Sequence, residues 1–187
     1  MVRHVFLTGK KQVGKSTLVR KVLNDFDGKA GGFFTVRTDA FLKNGYSVHL
    51  LGVNGEPSFD EETLLFLCGR EGNGVNGKNR KISCVRDRFN LLGCRALVQC
   101  RDCSLVVMDE LGPNEAEALL FRRAVLQQLE GGTPVLGVLQ APARLFWPEV
   151  TDHPAVELIE ITESNREEEE TLKRILSVIR HRIPSES

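Results

Sequence analysis

Near the start of the chain, Gly9-Lys10-Lys11-Gln12-Val13-Gly14-Lys15-Ser16 sets the strongest limit on what the sequence can fold into. The segment matches the spacing G-x-x-x-x-G-K-[ST], and it stands between an apolar run, Arg3 to Thr8, and a segment of helical periodicity, Lys15 to Phe26. That order of strand, glycine-bounded loop and helix is what phosphate binding needs. The glycines let the backbone wrap closely round an anion, so that amide N–H groups and the positive end of the helix point at it. Lys15 would neutralise charge on the β- and γ-phosphates, and the Ser16 hydroxyl would ligate Mg²⁺.

Along the rest of the chain, short apolar runs alternate with amphipathic segments, the pattern of a mostly parallel sheet covered by helices on both faces. The fold class is therefore α/β: a three-layer phosphate-loop sandwich with an antiparallel hairpin insertion, a single domain over residues 1–187. Val19, Val22, Leu23 and Phe26 form one stripe of the first helix. Gly31 to Arg37 and Tyr46 to Leu51 read as strands that pair across the turn Lys43-Asn44-Gly45. Further strands are expected at Ile82 to Val85, Ser104 to Met108, Pro134 to Leu139 and Val156 to Ile161. Helices are expected at Asn90 to Arg101, Glu115 to Glu130 and Arg166 to Arg182. Pro57 to Cys68 reads equally as helix or strand, and the glycine-rich Gly69 to Lys81 reads as a loop that either closes over a nucleotide or is a solvated insertion.

A second group of residues completes the chemistry. The apolar strand ending at Met108 runs into Asp109-Glu110, which places two carboxylates at the carboxyl edge of the sheet, where folds of this class bind ligands. Asp109 suits the metal, and Glu110, facing the other way on the strand, suits a water poised for in-line attack on the γ-phosphate. A base beside that water favours hydrolysis over transfer, although the same carboxylate could take a proton from an acceptor hydroxyl.

These residues resemble a known family. Arg3 to Gly9, the loop through Thr17, Gly32-Phe33-Phe34-Thr35, Asp109-Glu110-Leu111-Gly112 with Glu115, and Ser164-Asn165-Arg166 are similar, in order and over nearly the whole chain, to the cancer-related or thermostable nucleoside-triphosphatases. The resemblance implies a Mg²⁺-dependent enzyme that hydrolyses ATP, GTP and other nucleoside triphosphates to diphosphate and phosphate. It implies phosphate binding by Gly9 to Thr17, metal binding by Asp109 and water activation by Glu110. Small residues are usual where Lys10-Lys11-Gln12 stand here, and a lysine is usual where Pro113-Asn114 follow the acidic pair. Ser16 in place of threonine keeps the hydroxyl, and Lys10 or Lys11 would stand in for the missing lysine.

Other residues have two readings. Arg37, Arg86 and Arg88 could each set a guanidinium on the γ-phosphate or be ordinary solvated arginines. Without an assured arginine, turnover is expected to be slow. Ser164 or Asn165 either caps the last helix or contacts the base; Phe146 and Trp147 either pack or stack on the base. Cys100-x-x-Cys103 has no second pair at ligand spacing and so makes no zinc site by itself, and Glu167 to Glu170 favours a helix N-terminus.

Composition excludes classes of partner. Twenty-five Lys and Arg balance 25 Asp and Glu, which argues against bulk nucleic-acid or polybasic membrane binding, leaving only a local patch of Lys10, Lys11, Arg70, Lys78, Arg80 and Lys81. No apolar run approaches the ~18 residues of a membrane span, and Val5 to Leu7 is far short of a secretory signal core. Five cysteines scattered through core-like sequence suit reduced thiols. The expected location is the cytoplasm and the expected partners are nucleoside triphosphates.

Overall fold

Strands β1 (His4–Thr8), β2 (Ala30–Thr38), β3 (Gly45–Gly52), β4 (Leu64–Gly69), β5 (Leu105–Leu111), β6 (Val135–Leu139) and β7 (Val156–Glu160) form one sheet in the order β4-β3-β2-β5-β6-β1-β7. The computed structural model describes residues 2–39, 45–69 and 85–180. From β2 through β5, β6 and β1 to β7 every pairing is parallel, and β3 and β4 extend the sheet antiparallel from β2. The helices are α1 (Lys15–Asn24), α2 (Cys94–Val98), α3 (Pro113–Ala116), α4 (Leu119–Glu130), α5 (Ala143–Phe146), α6 (Pro148–Thr151) and α7 (Glu169–Arg180).

The period-two alternation of the strands divides the interior in two. On one face Phe6, Phe33, Val106 and Met108 pack with Leu97 of α2, with Phe121, Val125 and Leu129 of α4, and with Trp147. On the other, Val5, Leu7, Val107 and Val138 pack with Leu18, Val19 and Val22 of α1 and with Ile175, Leu176 and Ile179 of α7. Each such side chain contributes about 1.5–3 kcal/mol when fully buried, so the two layers together hold the central strands rigidly between them. Register matters for the site: Leu7 of β1 and Asp109 of β5 are both level with Val138 of β6, which lies between them.

Several elements differ from the sequence reading. β5 continues past Met108 through Asp109, Glu110 and Leu111, with a register shift against β6 between Asp109 and Leu111. The helix expected over Glu115 to Glu130 is broken at Ala118, whose non-helical ψ of 89° separates α3 from α4. Val85 opens a helical stretch rather than ending a strand; a π-helical turn, Phe89–Gly93, follows and leads into α2. Pro57 to Cys68 resolves as a turn followed by β4, and the short helices α5 and α6 occupy a stretch in which the sequence periodicity marks no element. The expected residues Ile82 to Cys84 and most of the Gly69 to Lys81 segment lie outside the described residues, as do the last two residues of the C-terminal helix.

His4 ties the sheet to the end of α4. It is fully buried; its Nε2–H donates to Leu129 O at 3.0 Å while Nδ1 accepts the Val135 N–H at 3.1 Å, which assigns the neutral Nε2–H tautomer. Burial pushes the imidazole down from 6.5 to about 4, with the neighbouring Arg3 charge acting in the same direction. Because the folded pKa lies below the unfolded one, the unfolded chain binds the extra proton. The stabilisation is therefore complete above pH 6.5 and is lost as pH falls toward 4, a change of about 3 kcal/mol. Because the raised carboxyls of Asp109 and Glu115 act in the opposite direction over the same range, the His4 contribution is read from the ring itself, which should stay neutral by NMR until below pH 5. A His4 resonance titrating near 6.5 in the folded protein would remove this explanation.

Candidate active site

The carboxyl ends of β1 and β5 face each other across β6, and the residues singled out in the sequence converge there. The loop after β1 turns back sharply. Gly9 has φ +132°, and a Cβ there would lie 2.3 Å from Ile161 O; Gly14, at φ +104°, opens α1. Both positions require glycine, since an L side chain rarely adopts these angles. Gln12 adopts φ +62° without being glycine, a left-handed conformation that side chains other than glycine seldom take. Val13 tucks into the core below, while Lys10, Lys11, Gln12, Ser16 and Thr17 are exposed.

Lys15 is buried, 6% exposed, and its Nζ donates to Gly9 O at 3.0 Å and Lys10 O at 2.8 Å. Burial pulls its pKa below the usual lysine value, opposed by the negative charges of Glu110 and Asp109. The ammonium is thus held over the loop by carbonyl oxygens and faces two carboxylates.

Asp109, 3% exposed, accepts a hydrogen bond from Ser16 Oγ at 3.1 Å. Burial raises its carboxyl to about 6, the Ser16 hydrogen bond lowers it, and the Glu110 charge raises it. A divalent cation bound there would favour the ionised form. One carboxylate and one hydroxyl at this separation suit Mg²⁺, which takes one or two protein oxygens and completes its shell with phosphates and water. Among the described residues no group of three His, Cys, Asp or Glu could hold a metal, so a cation bound without phosphates has no protein cage here.

Glu110 lines two adjoining hollows. One, of about 210 Å³, is bounded by Lys11, Gln12, Gly14, Lys15, Ser16 and Thr17 as well as Glu110. The other, of about 550 Å³, shares Lys11, Gln12 and Glu110 with the first and is walled by residues such as Tyr46, Val48, Phe66, Asn114 and Gln140. The Asp109–Glu110 peptide is cis.

Thr35 was missed as a functional residue. Its Oγ1 donates to Asp109 O at 3.2 Å and accepts the Glu110 N–H at 3.0 Å, so one hydroxyl on β2 fixes the backbone between the two carboxylates. The sequence signal was its place four residues after Gly31, inside the segment that carries the family resemblance; its partners lie on another strand and are not visible from spacing. Thr35→Val keeps the shape and removes both hydrogen bonds, at a cost of about 1–3 kcal/mol for the groups left unpaired. Catalytic rate should drop about tenfold with nucleotide affinity unchanged, as read by steady-state kinetics and equilibrium binding; equal loss in both would mean that the residue supports the loop as a whole.

The three arginines separate. Arg88 donates to Leu64 O at 2.6 Å, Glu61 O at 2.7 Å and Glu62 O at 2.8 Å, and clamps the turn before β4. Arg86 pairs with Glu117, its Nε 2.8 Å from Oε2, at the cavity wall. Arg37 also lines the cavity, its guanidinium 3.7 Å above the Tyr46 ring. Glu115 is 7% exposed and accepts the Gly112 N–H at 2.9 Å; burial raises its pKa to about 7.

Trp147 packs, fully buried, and its Nε1–H donates to Gly112 O at 3.0 Å, bracing the turn that follows Glu110. Cys100 and Cys103 lie buried beneath Gly31, where burial pushes the Cys100 thiol up to about 12. The last helix begins at Glu169, so neither Ser164 nor Asn165 caps it. Asn165 instead holds the preceding turn, its Oδ1 accepting the Thr162 N–H at 2.8 Å and its Nδ2–H donating to Glu160 O at 2.9 Å.

Loop, lysine, hydroxyl and acidic pair thus sit together in the order that the family resemblance requires, and a profile of the NTPase family matches residues 4–176. The chain belongs to the NTPase family. The nucleoside-triphosphatase THEP1 of Methanocaldococcus jannaschii is 29% identical over 182 residues, covering 92% of this chain and 97% of that protein. The human cancer-related nucleoside-triphosphatase is 31% identical over 182 residues, with 89% of this chain and 92% of that protein covered. The crystal structure of THEP1 from Aquifex aeolicus superposes with a TM-score of 0.62 at 22% identity, covering 94% of this chain and 98% of that one, a likeness of fold. This NTPase therefore has the phosphate-loop architecture expected of it, and no helix among its described residues is long and apolar enough to cross a membrane.

Proposed function

We propose that this NTPase hydrolyses nucleoside 5′-triphosphates, ATP and GTP among them, to the diphosphate and phosphate. The observation that carries the reading is Lys15, a buried ammonium held on Gly9 and Lys10 carbonyls and facing Asp109 and Glu110. The loop N–H groups and Lys15 bind the β- and γ-phosphates. Ser16 and Asp109 hold Mg²⁺, which neutralises phosphate charge when bound. Glu110 orients a water and accepts its proton as the water oxygen bonds to the γ-phosphorus and the bond to the bridging oxygen breaks. Thr17 continues the phosphate contacts at the start of α1. Since Arg86 and Arg88 have other partners, Arg37 is the remaining arginine of the three for the transferring phosphate; its stacking on Tyr46 holds it back, consistent with slow turnover. Balanced charge and nucleotide substrates suit a cytoplasmic enzyme without a nucleic-acid partner.

Purified protein with Mg²⁺ and each of ATP, GTP, CTP and UTP should release phosphate and diphosphate in equal amounts, and EDTA should stop the reaction. Release that continues in EDTA would overturn the metal assignment, and no release from any triphosphate would overturn the reading. The cavity of about 550 Å³ beside Glu110 favours one alternative, transfer of the phosphate to a small hydroxyl compound seated there, because hydrolysis needs room only for water. A phosphorylated organic product in place of free phosphate would establish it.

A further inference from the structure

Arg166 stands against the entry to α1. Its Cδ lies 3.4 Å from where a Gly14 Cβ would be, the nearest contact to that point from outside the residues flanking Gly14 and the α1 backbone. The stem therefore lies on the phosphate loop itself. The Nε of Arg166 is buried without a hydrogen-bond partner among the described residues; the nearest carboxylate oxygen, Glu167 Oε1, is 3.8 Å away, beyond hydrogen-bond reach. A buried guanidinium N–H is rarely left without an acceptor.

The turn that carries it is held in place. Asn165 spends its amide on Glu160 O and the Thr162 N–H, and Glu167 pairs with Lys21 of α1 at 2.6 Å. Arg166 is thus presented to the loop from a braced turn, with its side chain still 41% exposed.

The direction of a bound triphosphate follows from the proposed function, on which this inference rests. With the γ-phosphate against Glu110 and the other phosphates running back over the start of α1, the sugar and base leave past Gly14 and Thr17, which line the same hollow. That is the end Arg166 covers. We propose that Arg166 binds the nucleoside half of the substrate, its guanidinium lying against the face of the base and its Nε–H donating to a sugar oxygen. A flat cation attracts the π-face of any base, so this contact gives affinity without choosing among bases.

Arg166→Met keeps a stem on Gly14 and removes the guanidinium. With Mg²⁺ present, calorimetry on wild type and variant would compare ATP, GTP, CTP and UTP with inorganic tripolyphosphate, which has the phosphates and no nucleoside. The variant should bind all four nucleotides about tenfold more weakly, with tripolyphosphate unchanged and the thermal midpoint preserved. An equal loss for tripolyphosphate would make Arg166 a phosphate or loop-supporting residue and overturn the proposal, as would unchanged binding of the nucleotides. Failure of the wild type to bind either ATP or tripolyphosphate would overturn the triphosphate site itself, and this contact with it.

Discussion

Lys15→Ala is expected to lower phosphate release from ATP by about 10³-fold or more, the scale of loss when a fixed charge on the reacting phosphates is removed. Lys15 is the buried cation of the hollow, where its two carbonyl contacts fix the ammonium and burial already lowers its pKa. Without it, Lys11 is the lysine left lining the hollow beside Glu110, and it is exposed and screened. The loss should appear in binding as well as in rate, because the ammonium contacts the triphosphate before and during the reaction. Phosphate release together with equilibrium binding of ATP checks both, and a variant within tenfold of wild type in rate would show that the triphosphate does not lie on this loop.

Glu110→Gln is expected to act differently: about 10³-fold on rate and little on binding. Glutamine keeps the volume of the side chain, and the backbone hydrogen bond from the Glu110 N–H to Thr35 does not depend on the carboxylate. What is lost is the ability to accept a proton from water. The affinity for ATP should hold or tighten, since one negative charge has left the hollow. Single-turnover measurement would then show a slow chemical step following normal binding. Full activity in this variant would mean that the water is activated by another group.

Much of the site was legible because its signal is local. Gly9 to Ser16 declares itself by spacing, and Asp109-Glu110 by closing an apolar strand; both depend on residues adjacent in sequence. What was missed depends on contacts between distant segments. Thr35 acts through β5, Trp147 braces Gly112, and Asn165 turns its amide inward to hold a turn, and none of these partners follows from periodicity. The break at Ala118 was hidden because the residues on either side carry helical periodicity. The departures of the loop proved informative: Gln12 occupies a left-handed backbone conformation that a glycine would adopt freely.

Strand β6 contributes none of the proposed chemical groups, yet it serves as the ruler of the site. Leu7 and Asp109 are both indexed to Val138, so the loop and the acidic pair reach the same height only because one residue on one strand measures both. A slip of a single residue on either side would displace one half by about 3.3 Å, more than the whole distance from Ser16 to Asp109. The tolerance for insertion or deletion is therefore smallest in a strand that touches no substrate, and an error there would disable the enzyme while leaving every proposed catalytic residue present.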